Sequence, residues 1–189
     1  MMLYQPVELM HYDNQAILDH PVVSQMTNDA FNKPWNLLLF DLKSVLPDFY
    51  EWCEDHFKSR ITVTRFFITR NNESTLIHHD LGYKWSLNIP VYNCLNNYNY
   101  WYVMKDSADT VDMLKKDSSK VNFVANDGGA ARYNHDDVVS VIDKLELKQP
   151  MLFNADIPHN VVTGELEDPN KPRIVLSVRT ESMRRDARI

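Results

Sequence analysis

The sequence predicts a mainly β fold of the sandwich or jelly-roll kind, with a flanking N-terminal helix. Three observations carry this. From Arg60 onward the chain breaks into many short runs rich in Thr, Val, Ile and Phe, the residue types that suit a pleated, half-buried surface. Turn signals interrupt those runs at short intervals. No helical pattern separates each strand candidate from the next, as a parallel α/β sheet would require.

Taken in order, the first 60 residues mix short strands with helix. Phe49, Trp52, Cys53 and Phe57 recur at helical spacing and Pro47 suits a first turn, so the spacing predicts an amphipathic helix over 47–58. Its aromatic stripe reads as a packing face. Strands are then predicted over 61–70, 76–79, 84–92, 99–104, 121–125, 138–142, 145–147, 151–154, 159–163 and 173–180. Asn71-Asn72-Glu73-Ser74 and Asp127-Gly128-Gly129 mark turns, and Asp168-Pro169-Asn170 marks a loop before the last strand. Residues 109–116 read as a short helix or a loop. No internal repeat, low-complexity tract or linker divides the chain. It reads as one domain over 1–189, with a β core over 60–180 and strand and helix support over 1–59.

Composition narrows the class. An apolar fraction of 44% and a charged fraction of 24% place the 189 residues among globular domains with a sizeable core. No apolar run is long enough to span a bilayer, so no membrane partner is expected. Gln5 and Glu8 interrupt the first ten residues, and no basic start leads into an apolar stretch, which argues against a secretory leader. Cys53 and Cys94 are too few for a disulfide framework and lack metal-type spacing, which suits a reducing cytoplasm. A net charge of −6 disfavours a nucleic-acid polymer as partner. The short basic tail with Arg184, Arg185 and Arg188 reads as solvated, or as docking on a partner or on the site mouth.

One constellation points to chemistry. In Leu76-Ile77-His78-His79-Asp80, strand alternation puts His78 and Asp80 on one face and His79 on the other. An imidazole and a carboxylate so placed can share one metal ion. A second imidazole from a distant strand would complete a facial triad, the arrangement that favours non-haem Fe(II). His159 follows after a gap that holds about four or five short strands. His135-Asp136-Asp137 repeats the H-x-D pattern, but too few residues separate it from His159, and its polar neighbours read as a surface turn. In the last strand, Arg173, Val175, Ser177 and Arg179 share a face. Two arginines and a serine there suit a cavity holding an anion, since Arg grips a carboxylate bidentately and Ser adds a hydrogen bond. Taken singly, these residues read as an exposed histidine, a turn aspartate, a bend histidine and edge-strand charges. Their order and spacing together favour a site.

These residues resemble the 2-oxoglutarate- and Fe(II)-dependent oxygenases, particularly the short members common in phage and marine sequences. The resemblance lies in Ile77-His78-His79-Asp80, Leu87-Asn88-Ile89-Pro90-Val91, Trp101-Tyr102, the stretch from Phe153 through Pro158-His159 to Val161, and Pro172-Arg173 through Arg179. It covers 60–180. It implies a double-stranded β-helix, or cupin-like, fold with His78, Asp80 and His159 as iron ligands. It implies that Arg173 binds the distal carboxylate of 2-oxoglutarate with Ser177 nearby, Arg179 being the rival. It also implies that the co-substrate is oxidised to succinate while a C–H bond of a small-molecule or peptide substrate is hydroxylated. Asn88, Tyr92, Tyr100 and Tyr102 are the pocket-lining candidates. Arg173 lies further from the distal histidine than is usual in the family, with loop 164–171 between, and the family's R-x-S pair is stretched to Arg173-x-x-x-Ser177. Two other readings stay open. One is a cupin-type isomerase or sugar-binding protein holding Zn, Mn or Ni without oxygen chemistry. The other is an interaction protein using the aromatic segment 92–102 as a contact surface. Prime substrate and oligomeric state are not legible.

Overall fold

Short helices follow the first strand. Asp13 caps α1 (Asn14–Asp19) by accepting from the Gln15 and Ala16 amides, and His20 caps α2 (Pro21–Thr27) by accepting from Val22. After a short α3 (Leu42–Val45), Pro47 opens α4 (Pro47–His56) at the position where its missing N–H costs nothing. The helix stops two residues short of the expectation. Lys58 turns to φ 49°, its amide bonds Asp55 O and the Ser59 amide bonds Glu54 O, the paired bonds of a Schellman end. The computed structural model describes residues 1–28, 38–108, 111–112 and 130–184.

The rest is mainly β, in two antiparallel six-stranded sheets. The first contains β1 (Tyr4–Pro6), β2 (Leu38–Leu39), β3 (Ile61–Thr69), β5 (Trp85–Tyr92), β10 (Met151–Asn154) and β12 (Arg173–Thr180), in the order β1-β10-β5-β12-β3-β2. The second contains β4 (His78–Asp80), β6 (Asn97–Met104), β7 (Val111–Asp112), β8 (Ala130–Arg132), β9 (Val138–Glu146) and β11 (His159–Thr163), in the order β7-β8-β4-β11-β6-β9. The chain therefore crosses between sheets at β3–β4–β5–β6 and again at β10–β11–β12.

Two apolar clusters hold this together. Ile17, Val23, Met26, Phe49 and Cys53 from the helices pack on Phe66, Ile68, Leu87, Ile89, Leu176 and Val178, covering one face of the first sheet. Between the sheets, Trp101 and Leu147 meet Met151, Phe153 and Val175. The indole N–H of Trp101 donates to Asn154 O at 3.1 Å, and Thr163 Oγ1 donates to Thr69 Oγ1 at 3.0 Å, a buried bridge from β11 to β3. Every residue of β12 is buried. It lies between β5 and β3, with helices over Ile174, Leu176 and Val178. Its other face, carrying Arg173, Val175, Ser177 and Arg179, looks between the sheets.

The strands predicted over 138–142 and 145–147 form one strand, β9. Asp143 and Lys144 interrupt the apolar pattern, but their backbones still pair with Trp101 and Tyr100. The strand at 76–79 is β4, shifted toward Asp80 because its partners β8 and β11 meet it there. β9 ends its sheet and leaves Val139 61%, Val141 51% and Ile142 40% exposed. His135-Asp136-Asp137 is a single exposed 3₁₀ turn, as its polar neighbours predict. The strand expected over 121–125, the turn Asp127-Gly128-Gly129, most of 109–116, and Arg185 and Arg188 lie outside the described residues. No helix among the described residues is long and apolar enough to cross a membrane.

Candidate functional site

β4 is three residues long and meets β11 at His78. His78 and His159 are directly paired, and their ring centroids lie 4.5 Å apart at 48°. His79 points elsewhere and its Nδ1 shares a 2.7 Å hydrogen bond with the Tyr133 hydroxyl. Each ring of the pair is oriented by its own strand. His78 Nδ1 lies 2.8 Å from Leu76 O, and His159 Nδ1 lies 2.8 Å from Ile157 O. A carbonyl oxygen only accepts, so Nδ1 carries a proton in both rings. This is the tautomer in which an imidazole binds a metal through Nε2 while a backbone acceptor fixes its orientation. Burial, then the neighbouring His78, pushes the His159 pKa down to about 4, against the opposing pull of Asp80. Its ring is neutral at pH 7.

Asp80 shares the face of His78. Burial alone would raise its pKa, but Arg179, followed by His78, Arg65 and His159, holds it at about 2. The carboxylate is therefore ionised, and its Oδ2 is ion-paired with Nη2 of Arg179. Arg179 is fixed in turn. Its guanidinium lies 5.0 Å over the Tyr83 ring, and Nε donates to Ser86 Oγ at 3.4 Å. Tyr83 is anchored through its hydroxyl to Thr62 Oγ1 at 2.8 Å. Ser86 and Ser177 share a 2.9 Å hydrogen bond, and Ser86 Oγ also donates to Asn88 Oδ1 at 3.2 Å.

Arg65 completes this cluster from β3, where it pairs with Ser177. Its guanidinium lies 4.7 Å over the Phe67 ring. Burial and then Arg179 lower its pKa to about 9, while Asp80 and Tyr83 oppose the shift. Sequence reasoning missed Arg65, Tyr83 and Ser86. A signal for Arg65 existed: a lone arginine between Val63 and Phe67 on one strand face is as odd as the arginines of β12.

The structure thus brings together His78, Asp80, His159, Arg179, Ser177 and Asn88. The other sequence candidates fall elsewhere. Arg173 sits at the opposite end of β12, paired with Thr69 and interacting with Cys94. Burial lowers its pKa and its Nε lacks a hydrogen-bond partner. Six residues of strand put it roughly 20 Å from Arg179 along β12. Tyr92 packs with the helix-side cluster. Tyr100 pairs with Asn160, and the Tyr102 hydroxyl donates to Asn160 Oδ1 at 2.8 Å. His159 pairs instead with Trp101, so alternation puts both tyrosines on the opposite face of the sheet. Trp101 and Tyr102 are buried, which counts against the segment 92–102 as a contact surface.

As the side chains stand, no three His, Cys, Asp or Glu groups among the described residues are gathered around one point that could hold an ion, because Asp80 is turned to Arg179. By donor chemistry the set fits a metal, with two imidazoles whose Nδ1 atoms face backbone carbonyls and one ionised carboxylate beside them. The charge balance is one-sided. Buried charged residues among those described are Arg65, Arg173, Arg179 and Asp80, three cations to one anion.

A scan of protein-family models finds no match to the chain, and no curated protein matches it in sequence. Among solved structures, hydroquinone 1,2-dioxygenase PnpCD, in complex with Cd2+ and 4-hydroxybenzonitrile, is similar over 94% of this chain and 81% of its own, at 8% identity and a TM-score of 0.40. E. coli ycfD is similar over 95% of this chain and 55% of its own, at 9% identity and a TM-score of 0.40. The chain spans about half the length of ycfD.

Proposed function

We propose that this chain is an Fe(II)- and 2-oxoglutarate-dependent dioxygenase that hydroxylates a small-molecule or peptide substrate, on a double-stranded β-helix scaffold. One observation carries the reading. His78 and His159 stand side by side with both Nδ1 protons given to backbone carbonyls, next to an ionised Asp80. The passage of successive strands between the two sheets supports the scaffold.

His78, Asp80 and His159 would hold the iron, with Nε2 as the ligand atom of each imidazole. Bound iron would supply the redox chemistry that couples oxidation of 2-oxoglutarate, to succinate and carbon dioxide, with insertion of one oxygen atom of O2 into a C–H bond. The chain's own residues do the rest. Leu76 O and Ile157 O fix the imidazole tautomers. Arg179 keeps Asp80 ionised and is itself held by Ser86 and Tyr83. Trp101, Phe153 and Val175 keep the neighbouring interior apolar. Arg65 and Arg179, both buried near Asp80, support an anionic co-substrate.

Metal content measured after anaerobic loading with Fe(II) tests the ligand set. Wild type is expected to retain about one iron per chain, and His159→Ala and Asp80→Ala to lose it. Succinate formation from 2-oxoglutarate then tests the reaction. Equal metal content in all three proteins would refute the assignment. The place of Arg173, at the opposite end of β12 from Arg179, favours a second reading, a cupin-type metal-binding protein without oxygen chemistry. Metal-loaded protein that binds no 2-oxoglutarate would select it.

A further inference from the structure

We infer that Arg132 receives an anionic group of the prime substrate, a carboxylate or a phosphate, and so restricts the site to small acidic substrates. This rests on the reading of His78, Asp80 and His159 given above and names the substrate class those residues would act on.

Register places the guanidinium. β8 flanks β4 on the side away from β11, and Arg132 is the direct partner of His78. Direct partners in an antiparallel ladder present their side chains to the same face of the sheet. His78 and Asp80 share that face, and Asp80 meets Arg179 of the other sheet across it, so the face looks between the sheets. Arg132 therefore starts one strand spacing, about 5 Å, from His78, on the side opposite His159. Next along that face of β8, opposite Asp80, is Ala130, whose side chain is a single methyl group.

Burial shows the direction of approach. Arg65, Asp80, Ser177 and Arg179 are buried, whereas His78 and Arg132 are half-buried. Among the described residues, the site is thus closed on its Arg179 side and reached from the β8 side. A molecule arriving at the two imidazoles from there passes Arg132.

The chemistry of the residue fits that place. A guanidinium stays charged at neutral pH and grips a carboxylate or phosphate through two parallel N–H donors. Burial lowers the pKa of Arg132, the direction a partly desolvated cation takes. The backbone around it is braced. The Tyr133 amide donates to Ile77 O at 2.9 Å, the Tyr133 hydroxyl shares a 2.7 Å hydrogen bond with His79 Nδ1, and Ala131 is buried and paired with His79. One strand spacing between the anion and the metal ligands leaves room for only a few bonds between the charged group and the oxidised carbon. Free amino acids and small phosphate esters meet that limit.

The test is binding to iron-loaded protein kept free of oxygen, with 2-oxoglutarate present. The probes are the twenty genetically encoded amino acids, each against its carboxamide, and glycerol 3-phosphate against glycerol. Wild type should bind at least one anionic probe about tenfold or more tightly than its neutral counterpart. The two series separate a carboxylate from a phosphate. Arg132→Gln should bring that probe down to the level of its counterpart while retaining iron, and Arg132→Lys should keep part of the preference, since it holds the charge without the fork. Circular dichroism checks folding, and Arg132→Lys carries the comparison if Arg132→Gln does not fold. Wild type that binds iron and 2-oxoglutarate but no probe, or that binds the neutral probes equally well, overturns the assignment of Arg132. So does a preference that survives undiminished in every variant that folds. Wild type that holds neither iron nor 2-oxoglutarate overturns the underlying reading as well.

Discussion

Arg179 is the residue on which the candidate site turns. It is the ion-pair partner of Asp80, a carboxylate with little access to solvent. Removing the cation would strand a buried charge, the situation in which breaking a buried pair costs about 3–5 kcal/mol. Arg179→Met is therefore expected to lower the unfolding free energy measured in urea by that order, and Arg179→Met combined with Asp80→Asn to recover much of the loss. A midpoint unchanged in Arg179→Met would show that the pair does not form. His159 makes a pH prediction for the metal-free protein. Its folded pKa of about 4 lies below the ordinary 6.5. As pH falls through 6.5 the unfolded chain takes up a proton that the folded chain refuses, so stability drops from there down to about pH 4. Asp80, at about 2 against an ordinary 3.8, adds a separate loss that begins only below 3.8. Urea midpoints measured from neutral pH downward should show the upper window in wild type, and His159→Gln should flatten it.

At the scale of elements, the bridge from β11 to β3 is the sharpest test of how the sheets are joined. Thr69 and Thr163 are both buried, each about 2% exposed or less, and they hydrogen-bond across the interior. Thr69→Val should cost about 1–3 kcal/mol by leaving the Thr163 hydroxyl unpaired, while the double change to valine should be closer to neutral. A double-mutant cycle in chemical denaturation would show coupling between the two sites, and additive losses would refute it. Much of the element list was legible. β10, β11 and β12 have the limits that the sequence predicts, because turn residues or Pro172 sit at their ends. α4 was legible from its aromatic spacing, and its end was not, because a Schellman stop was made here with Lys58 rather than glycine. β9 was read as two pieces because edge strands tolerate charge that a central strand would not.

At the scale of the whole molecule, alternation and order were enough to predict that His78, Asp80 and His159 lie near one another. They were not enough to rank the arginines. Arg173 and Arg179 share a strand face, and only the register of β12 against β3 and β5 shows which one lies beside Asp80. Arg65 needed the same long-range information. The tyrosines of β6 show a different obstacle. Tyr100, Trp101 and Tyr102 are consecutive aromatics, so the pattern carries no parity, and the pairing of Trp101 with His159 decides the face. The outer end of the second sheet has a consequence beyond the site. β9 offers nine residues of backbone at a sheet edge, with Val139, Val141 and Ile142 open to solvent. Such an edge is a template for strand addition from another molecule, so the chain's colloidal behaviour on warming should be set there rather than in its core. Val141→Lys should leave the unfolding free energy within about 0.5 kcal/mol of wild type yet delay the onset of light scattering, and unchanged scattering would place the sticky surface elsewhere.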